Sequence, residues 1–424
     1  MNNDINKFIP QSKYEEILKR ICLNESLDDV EPSSSIECLL IEFSQHVGGG
    51  SSGGSLKKYF DATKTARDFL YNQTTLTTVD DMLSYDDTEN VTDMHRMFGA
   101  CSNLTSIPLL NTSNVTSMYS MFNGCKSITE LPLFDTSKVT NVEGMFNNCS
   151  NLKKVPPFDF SSVSGSISFG NCTSLTEIPL LKIGPNVTSI SFGNCTAITT
   201  VPLFDTKNVT SMNYMFSSCS ALTGVPLFDT KNVTSMSSMF YECSKLKTVP
   251  HFDTSNVTYM GYMFRECRYI GDLPLFDTSK VTDMKYMFGS GSSARINSTL
   301  KIIPAWDVRN VTNFDNMFAG CVGLTEILMY GMKVSCRVVD GVYGNKLGVE
   351  NLITILSNCQ VVTDSPKLTV GSSKLASIAE IYVKETGVEP YEGLTLRPCV
   401  ICESTDEGAM LATDYFMSKG WTIS

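Results

Sequence analysis

One pattern of apolar and polar positions recurs along the chain from Asn90 to about Tyr330. In the copy NVTSMSSMFYECSKLKTVPHFD, from Asn232 to Asp253, apolar residues return between short polar ones. Its phenylalanine recurs every 23 or 24 residues, with a last step of 30, at Phe98, Phe122, Phe146, Phe169, Phe192, Phe216, Phe240, Phe264, Phe288 and Phe318. A fixed period of this length predicts a solenoid in which each copy forms one coil.

The elements of one coil follow from the residues around this copy. The run LTGVPLF, with Leu227 among its apolar positions, predicts a short strand with one buried face. The proline in it ends ladder pairing because proline has no N–H to donate. Asp229-Thr230 then predicts a corner, 233–236 a second short strand, and 237–243 a helical or 3₁₀ turn. Only stacking on its neighbours can bury the apolar face of such a coil.

The repeat pattern FDTSNVTxMxxMFxxCxxLxxVP resembles the BspA-type leucine-rich repeats of bacterial and phage-encoded surface proteins. The resemblance implies an α+β fold, a leucine-rich-repeat-like solenoid of about ten 23–24-residue coils over residues 90–330. The entry DATKTA and the exit GWTIS resemble the phage-encoded, virion- or tail-associated branch. The family is linked to adhesion and binding rather than to one ligand. The coils at 162–179 and 187–202 lack the Met before Phe, which predicts a shorter turn there.

The residues ahead of the repeats predict two further segments. A helix at 56–71, followed by a zeroth coil with Asp86 in its corner, forms an N-terminal cap over 56–89. Residues 1–47 predict two helices, at 12–24 and 35–47, joined to that cap by the Gly/Ser linker 48–55. Each of the two helices carries an apolar stripe, formed by Tyr14, Ile17, Leu18 and Ile21 in the first and by Ile36, Leu39, Leu40 and Phe43 in the second.

Two interpretations of these stripes stay open. The helices are either a frayed terminal pair or a docking segment that buries its stripes on other virion proteins or on copies of the chain. The residues after the repeats, 331–424, predict an α/β C-terminal cap. It holds helices at 347–358 and 406–419, a strand at Lys367–Val370 and an insertion at 380–402, while the polar run 289–300 within the repeats predicts a surface loop.

Charge and hydropathy narrow the class of partners. A net charge of −11 over 424 residues argues against a general nucleic-acid or anionic-membrane binder. No secretory signal and no stretch of the roughly 20 apolar residues that span a membrane are visible. A virion protein needs neither, because lysis releases it. The sequence therefore predicts a protein made in the host cytoplasm and located in the virion.

Columns of chemically active residues recur with the repeat, and each has a structural explanation. Nine cysteines share one coil position, Cys101 to Cys321, and predict buried free thiols rather than a disulfide ladder. A column of aspartates at the corners predicts turn capping, with Ca²⁺ binding as the alternative. Cys399 and Cys402 form a lone CxxC, which predicts a structural or incidental pair because no further ligands are spaced for zinc.

Catalysis has little support in the sequence, and no cofactor is predicted. The chain has three histidines, no readable catalytic triad and no phosphate-binding Gly-rich loop. Three functions compete: a non-enzymatic phage-particle protein that recognises a host protein or glycan, a bacterial surface or secreted adhesin, and a glycan hydrolase. The predicted binding face is the outer side of the first strand, at Glu130, Lys153, Lys154, Glu177, Thr200, Lys247, Asp272, Lys301 and Glu326. Alternatively, these residues are simply the solvated side of the sheet.

Overall fold

The computed structural model of the protein describes residues 57, 60–80, 83–290, 296–331, 367–370 and 395–398. The chain divides into two compact units, Met1–Ile190 and Ser191–Ser424. The helices predicted at 12–24, 35–47, 347–358 and 406–419 lie outside the described residues, as do both apolar stripes of the predicted docking segment. Within the described part of the chain, no helix has the length and apolar character needed to span a membrane.

Regular secondary structure is sparse, because most of each coil consists of turns and single bridges. Residues 60–63 are helical and Asp86–Thr88 is a 3₁₀ helix. The strands are β1 (Asp159–Phe160), β2 (Ser164–Ser168), β3 (Lys182–Ile183), β4 (Asn186–Ser191), β5 (Ile302–Ile303), β6 (Glu326–Ile327), β7 (Lys367–Val370) and β8 (Thr395–Pro398). They form the two-stranded sheets β1–β3, β2–β4, β5–β6 and β7–β8.

The strand predicted at Lys367–Val370 is confirmed as β7. It pairs in parallel with β8, in the register Lys367 to Thr395 and Val370 to Pro398. Because β8 lies within 380–402, the segment predicted as an insertion contributes a paired strand.

Hydrogen bonds between successive coils hold each unit together. In the second unit, Ser235 bridges Ser211 on one side and Tyr259 on the other, both in parallel. The Met236 N–H then donates to the Tyr259 carbonyl at 3.0 Å. This single bridge stands where a second strand was predicted at 233–236. Pairing nevertheless continues beyond it, since the Phe240 N–H donates to the Met263 carbonyl at 3.0 Å.

The segment 237–243, predicted as a helical or 3₁₀ turn, is two successive turns. Met239 N–H donates to Met236 O at 3.2 Å, and Cys243 N–H donates to Phe240 O at 3.0 Å. Between them Ser238 has φ +55°, which no right-handed helix allows. This left-handed residue directs its own N–H toward the next coil, where it donates to the Gly261 carbonyl oxygen at 3.0 Å.

The N-terminal cap differs from its prediction in where the first coil begins. The helix ends at Thr63, not at residue 71, and Lys64 and Asp68 have φ values of +58° and +56°. Residues 65–72 instead repeat the turn geometry of a coil, with the Leu70 N–H donating to Met97 O at 2.9 Å. A left-handed residue at every fourth position breaks the predicted helix.

The corner of the zeroth coil is also shifted by one residue from its prediction. Asp86 is exposed, whereas Asp87 is 2% exposed and accepts from both the N–H and the hydroxyl of Ser84. Tyr85, the residue before Asp86, is 49% exposed. The following run Thr88-Glu89-Asn90-Val91 aligns with Thr-Ser-Asn-Val in the later coils, which places Asp87 in the aspartate column.

Two columns of aromatic rings form the core of each unit. Every phenylalanine of the periodic set is at most 3% exposed, which confirms that column as core. In the second unit the Phe240 ring stacks on Phe216 at 5.9 Å and on Phe264 at 5.7 Å. A second column, built from Phe204, Phe228, Phe252, Phe276 and Trp306, is equally buried. Leu227, which was predicted in the apolar set of the first strand, is instead 58% exposed.

The two coils that lack the Met before Phe are the ones with longer strands. They contain β2 and β4, whereas neighbouring coils have a single bridge at the same position. Both lose the first left-handed residue of the turn and keep the second, at Asn171 and Asn194. The predicted shortening of the turn is therefore accompanied by extension of the backbone ahead of it.

Candidate functional site

An exposed column of leucines runs over the coils of the second unit. Leu203, Leu227 and Leu275 occupy the residue after the proline and are 57%, 58% and 56% exposed. His251 holds the same position in the coil between them, and its Nε2 lies 2.7 Å from the Leu275 carbonyl oxygen. The next residue of each coil is a buried ring, at Phe204, Phe228, Phe252 and Phe276. Leu227 lies at the centre of a tight turn, in which the Phe228 N–H donates to Pro226 O at 3.0 Å, so the leucine faces outward while the ring after it faces inward.

The residue after the buried ring is an aspartate, so an acidic column runs beside the leucines. We call Leu203, Leu227, Leu275, Asp205, Asp229, Asp253 and Asp277 the leucine–aspartate surface. In Asp253, Oδ1 accepts from the Ser255 N–H at 3.1 Å and from its hydroxyl at 2.6 Å. These bonds lower the pKa of the Asp253 carboxyl, so it stays ionised. The predicted turn capping is thereby confirmed at Asp253.

The first unit carries a similar column of its own. Leu109, Leu133 and Leu180 are 49%, 58% and 64% exposed. Asp135 caps its turn by accepting from the Ser137 N–H and hydroxyl, at 3.0 and 2.6 Å. The acidic column is interrupted by Asn111 and by Lys182, whose ammonium pairs with Asp159 at 2.7 Å.

The predicted binding face lies in the same segment of each coil, a few residues before the leucine column. Eight of its nine residues are exposed, and Glu326 is half-buried in β6. The set falls into two adjacent columns, since Lys154 bridges to Glu177 while Lys153 donates its N–H to Thr129 O. The members in the first unit are Glu130, Lys153, Lys154 and Glu177, and those in the second are Thr200, Lys247, Asp272, Lys301 and Glu326.

A cluster of tyrosines around one arginine lies on the turns of the second unit. The guanidinium carbon of Arg265 is 4.9 Å from the ring centroid of Tyr286, 5.6 Å from Tyr262 and 5.7 Å from Tyr241. The rings of Tyr262 and Tyr286 stack at 5.3 Å with an interplanar angle of 4°. We call these four residues the Tyr–Arg cluster. Lys285 lies 5.6 Å above the Tyr262 ring and 3.7 Å from the Asp283 carboxylate.

Two of the three tyrosines of this cluster occupy a strained backbone position. Tyr262 and Tyr286 have φ values of +62° and +50°. Four coils place small residues there, at Ser120, Gly144, Ser238 and Asn316, while Arg96 and Tyr214 are the other large residues at this position. A bulky side chain in the left-handed region costs on the order of 1–2 kcal/mol relative to glycine. The coils thus keep tyrosine at a position where the backbone favours glycine or asparagine.

The cysteine column consists of buried free thiols, as predicted for these nine residues. Eight of these thiols donate a hydrogen bond to a phenylalanine or leucine carbonyl of the preceding coil, as Cys243 does to Phe216. Burial raises the pKa of Cys101 and of Cys219 to about 12. The reactive thiolate is thus suppressed, and this column does not supply a nucleophile.

The described residues offer no grouped ligands for a metal: no three His, Cys, Asp or Glu side chains among them are placed to hold an ion. The His95 ring stacks on Tyr119 at 4.6 Å, and burial lowers its pKa. The lone CxxC at Cys399 and Cys402 lies outside the described residues. Sequence reasoning missed both the leucine column and the Tyr–Arg cluster, although the 24-residue spacing of Tyr262 and Tyr286 already placed them at one coil position.

The chain matches a family model described as Mycoplasma protein of unknown function, DUF285, over residues 65–177, 187–301 and 271–330. These segments cover more than half of the chain, so the protein belongs to this family. The repeats are of the BspA-like type that the sequence resembles. The match begins at residue 65, where the first coil of the structure begins. No curated protein matches the chain.

Solved leucine-rich-repeat structures resemble the chain at low identity. A leucine-rich repeat protein from Eubacterium ventriosum has 15% identity and a TM-score of 0.22, with 47% of this chain and 80% of that chain covered. The pneumococcal vaccine antigen PcpA has 12% identity and a TM-score of 0.21, with 76% and 65% covered. The plant peptide hormone receptor RGFR1, in complex with RGF2, has 13% identity and a TM-score of 0.23, with 76% of this chain and 65% of that chain covered. TM-scores this low do not define a shared fold.

Proposed function

We propose that the protein is a non-enzymatic recognition protein whose coils present the leucine–aspartate surface to a partner on a host cell. The observation that carries the proposal is the column of leucines, each more than half exposed, next to ionised aspartates. Contiguous exposed apolar residues with a polar border are typical of interaction sites.

The chemistry of this surface favours a polypeptide partner that is apolar and basic. Burying one leucine side chain fully contributes roughly 1.5–3 kcal/mol, so several coils together supply substantial binding energy. The aspartates favour Lys or Arg beside the apolar contacts and disfavour acidic partners. Because hydrogen bonds between coils fix the leucines in place, little conformational entropy is lost on binding.

The members of the predicted face in the second unit, Thr200, Lys247, Asp272, Lys301 and Glu326, are the proposed polar border of this surface. Lys247 and Asp272 alternate in charge in neighbouring coils, as do Lys154 and Glu177. Border charges of this kind act on orientation and association rate more than on affinity.

We further propose that the protein is made in the host cytoplasm and becomes part of a phage particle, where residues 1–47 dock on other virion proteins. The partner of the coils is then a host surface protein or glycan. The resemblance of the repeat and of its entry and exit motifs supports this role, and a bacterial surface or secreted adhesin is the alternative. Detection of the protein in purified virions, as opposed to the envelope of uninfected cells, distinguishes the two.

The recognition role is tested by binding labelled full-length protein to host cells. We expect Leu203→Asn, Leu227→Asn and Leu275→Asn together to weaken binding at least tenfold while thermal stability is retained. The matched control is Lys247→Asn with Asp272→Asn, which changes two exposed residues of the predicted border. Protease treatment of the cells removes a protein receptor, and periodate treatment removes a glycan receptor. Undiminished binding by the triple leucine variant would refute the proposed surface.

A further inference from the structure

We propose that the Tyr–Arg cluster is a second binding site, for a carboxylate-bearing sugar of a host glycan. This second site rests on the proposed recognition role. The Tyr–Arg cluster lies on the turns of the coils, however, and includes none of the leucine–aspartate residues. The site is formed by Tyr241, Tyr262, Arg265 and Tyr286 from three successive coils.

The first argument is the hydrogen-bonding capacity that the cluster leaves unused. Nε of Arg265 has no hydrogen-bond partner in the described part of the chain, and the Glu266 carboxylate lies 4.0 Å from it. Nε itself is buried, while a quarter of the side-chain surface stays exposed. The three rings hold the guanidinium in place, so it needs little reordering to bind a carboxylate through two parallel bonds.

The second argument is the orientation of the tyrosines. The stacked faces of Tyr262 and Tyr286 cover one another, so the exposed parts of this pair include ring edges. Among the described residues, neither hydroxyl has a hydrogen-bond partner. Each can both donate and accept. A polyhydroxylated ring with one carboxylate matches this set, whereas an apolar peptide would bury the arginine unpaired at a cost.

The third argument is the backbone strain at Tyr262 and Tyr286, which folding alone does not require. Ser238, in the coil before Tyr262, and Asn316, in the coil after Tyr286, adopt the same left-handed conformation with small side chains. A second column is formed by the residue after each periodic phenylalanine. This residue is large at Tyr241 and Arg265, and small at Ser217 and Gly289 in the coils on either side. In this second column the large side chains are confined to adjacent coils, as expected of a local site, whereas the left-handed column also holds the large residues Arg96 and Tyr214.

The test uses the full chain and three probes, measured by calorimetry and ligand-observed NMR. They are a galacturonic acid trisaccharide, the neutral galactose trisaccharide and triglutamate. We expect saturable binding of the acidic sugar and at least tenfold weaker binding of the other two. Arg265→Lys keeps the charge but not the planar fork, and should weaken acidic-sugar binding at least tenfold. Tyr286→Phe removes one hydroxyl and should weaken binding severalfold.

Tyr214→Phe is the matched control, because Tyr214 has the same left-handed turn position, φ +56°, and makes no cation–π contact with Arg265. It should leave sugar binding unchanged. Absence of saturable binding by the acidic trisaccharide overturns the proposal, as does wild-type affinity in Arg265→Lys. Tighter binding of triglutamate assigns the cluster to protein carboxylates and also overturns it. The triple leucine variant should retain sugar binding, so failure of this site and failure of the leucine–aspartate surface are distinguishable.

Discussion

The thiol of Cys243 donates a hydrogen bond to the carbonyl oxygen of Phe216 in the preceding coil, with Sγ and O 3.0 Å apart. The same oxygen accepts the N–H of Cys219 at 3.0 Å. One carbonyl is therefore shared by its own coil and by the next. A small side chain with a weak donor fits this slot, which explains why cysteine recurs there with the period of the repeat.

Cys243→Ala should lower stability by about 1–2 kcal/mol, because it removes the thiol donor and leaves a small void. Cys243→Ser keeps a donor of similar reach and should recover part of that loss. The measurement is the free energy of unfolding in urea. Equal losses in the two variants would show that the hydrogen bond to Phe216 contributes nothing beyond packing.

The buried thiols should make the fold sensitive to alkali. The pKa of Cys219 is raised to about 12 by burial, against about 8.5 for an unfolded thiol. The native state keeps a proton that the unfolded state releases, so stability is complete below about pH 8.5 and declines toward pH 12. Each such thiol contributes up to about 1.4 kcal/mol per pH unit in this window.

Urea midpoints measured between pH 7 and 10 test this decline. Cys219→Ala removes one of the titrating groups and should make the decline shallower by about one proton. A stability that is constant up to pH 10 would contradict the raised pKa values. Thiol titration of the denatured, unreduced protein should find most of its 15 cysteines free.

Phe240→Ala should cost about 3–5 kcal/mol, the usual range for a buried aromatic ring. The ring stacks on Phe216 and Phe264, so the loss is shared by the coils on both sides. In a stacked array the neighbouring coils should open first, which hydrogen exchange of their amides detects. Leu227→Ala, at an exposed apolar position of the same coil, is the control and should change stability by less than about 0.5 kcal/mol.

The pair Leu227 and Phe228 shows what the sequence could and could not predict. Periodicity placed both residues in an apolar run and correctly predicted a coil. It could not decide which of the two faces inward, because that depends on the tight turn in which the Phe228 N–H donates to Pro226 O at 3.0 Å. The exposed leucine column, and with it the proposed surface, follows from this turn.

The turn at 65–72 shows a second limit. TARDFLYN contains good helix-forming residues, and local propensity therefore predicted a helix through residue 71. Bonds to the next coil outweigh that propensity, since the Asp68 N–H donates to His95 O at 2.9 Å and the Asn72 N–H to Gly99 O at 2.7 Å. Such contacts are 27 residues apart and are invisible to a local pattern.

Tyr214 provides a test of the strain at the left-handed position of the turn. Tyr214→Gly and Tyr214→Ala both remove an exposed ring, but only glycine adopts φ +56° freely. The glycine variant should be more stable than the alanine variant by roughly 1 kcal/mol. Thermal unfolding of the two proteins side by side measures the difference. An alanine variant of equal or greater stability would show that the position carries no strain.

Residues 56–424 should fold without residues 1–47, and the removed segment should carry assembly into the particle. The cap that closes the coils begins at Phe60, which is fully buried and packs edge-on against Phe69 at 5.2 Å. Lys57 adds ion pairs to Asp61 and Glu89, at 3.3 and 3.0 Å. Truncation at residue 56 keeps all of these contacts, so the melting temperature should match that of the full chain. Offered to particles that lack the protein, the truncated form should fail to incorporate while the full chain does. Normal incorporation would refute the docking role, whereas loss of folding would assign residues 1–47 to the cap.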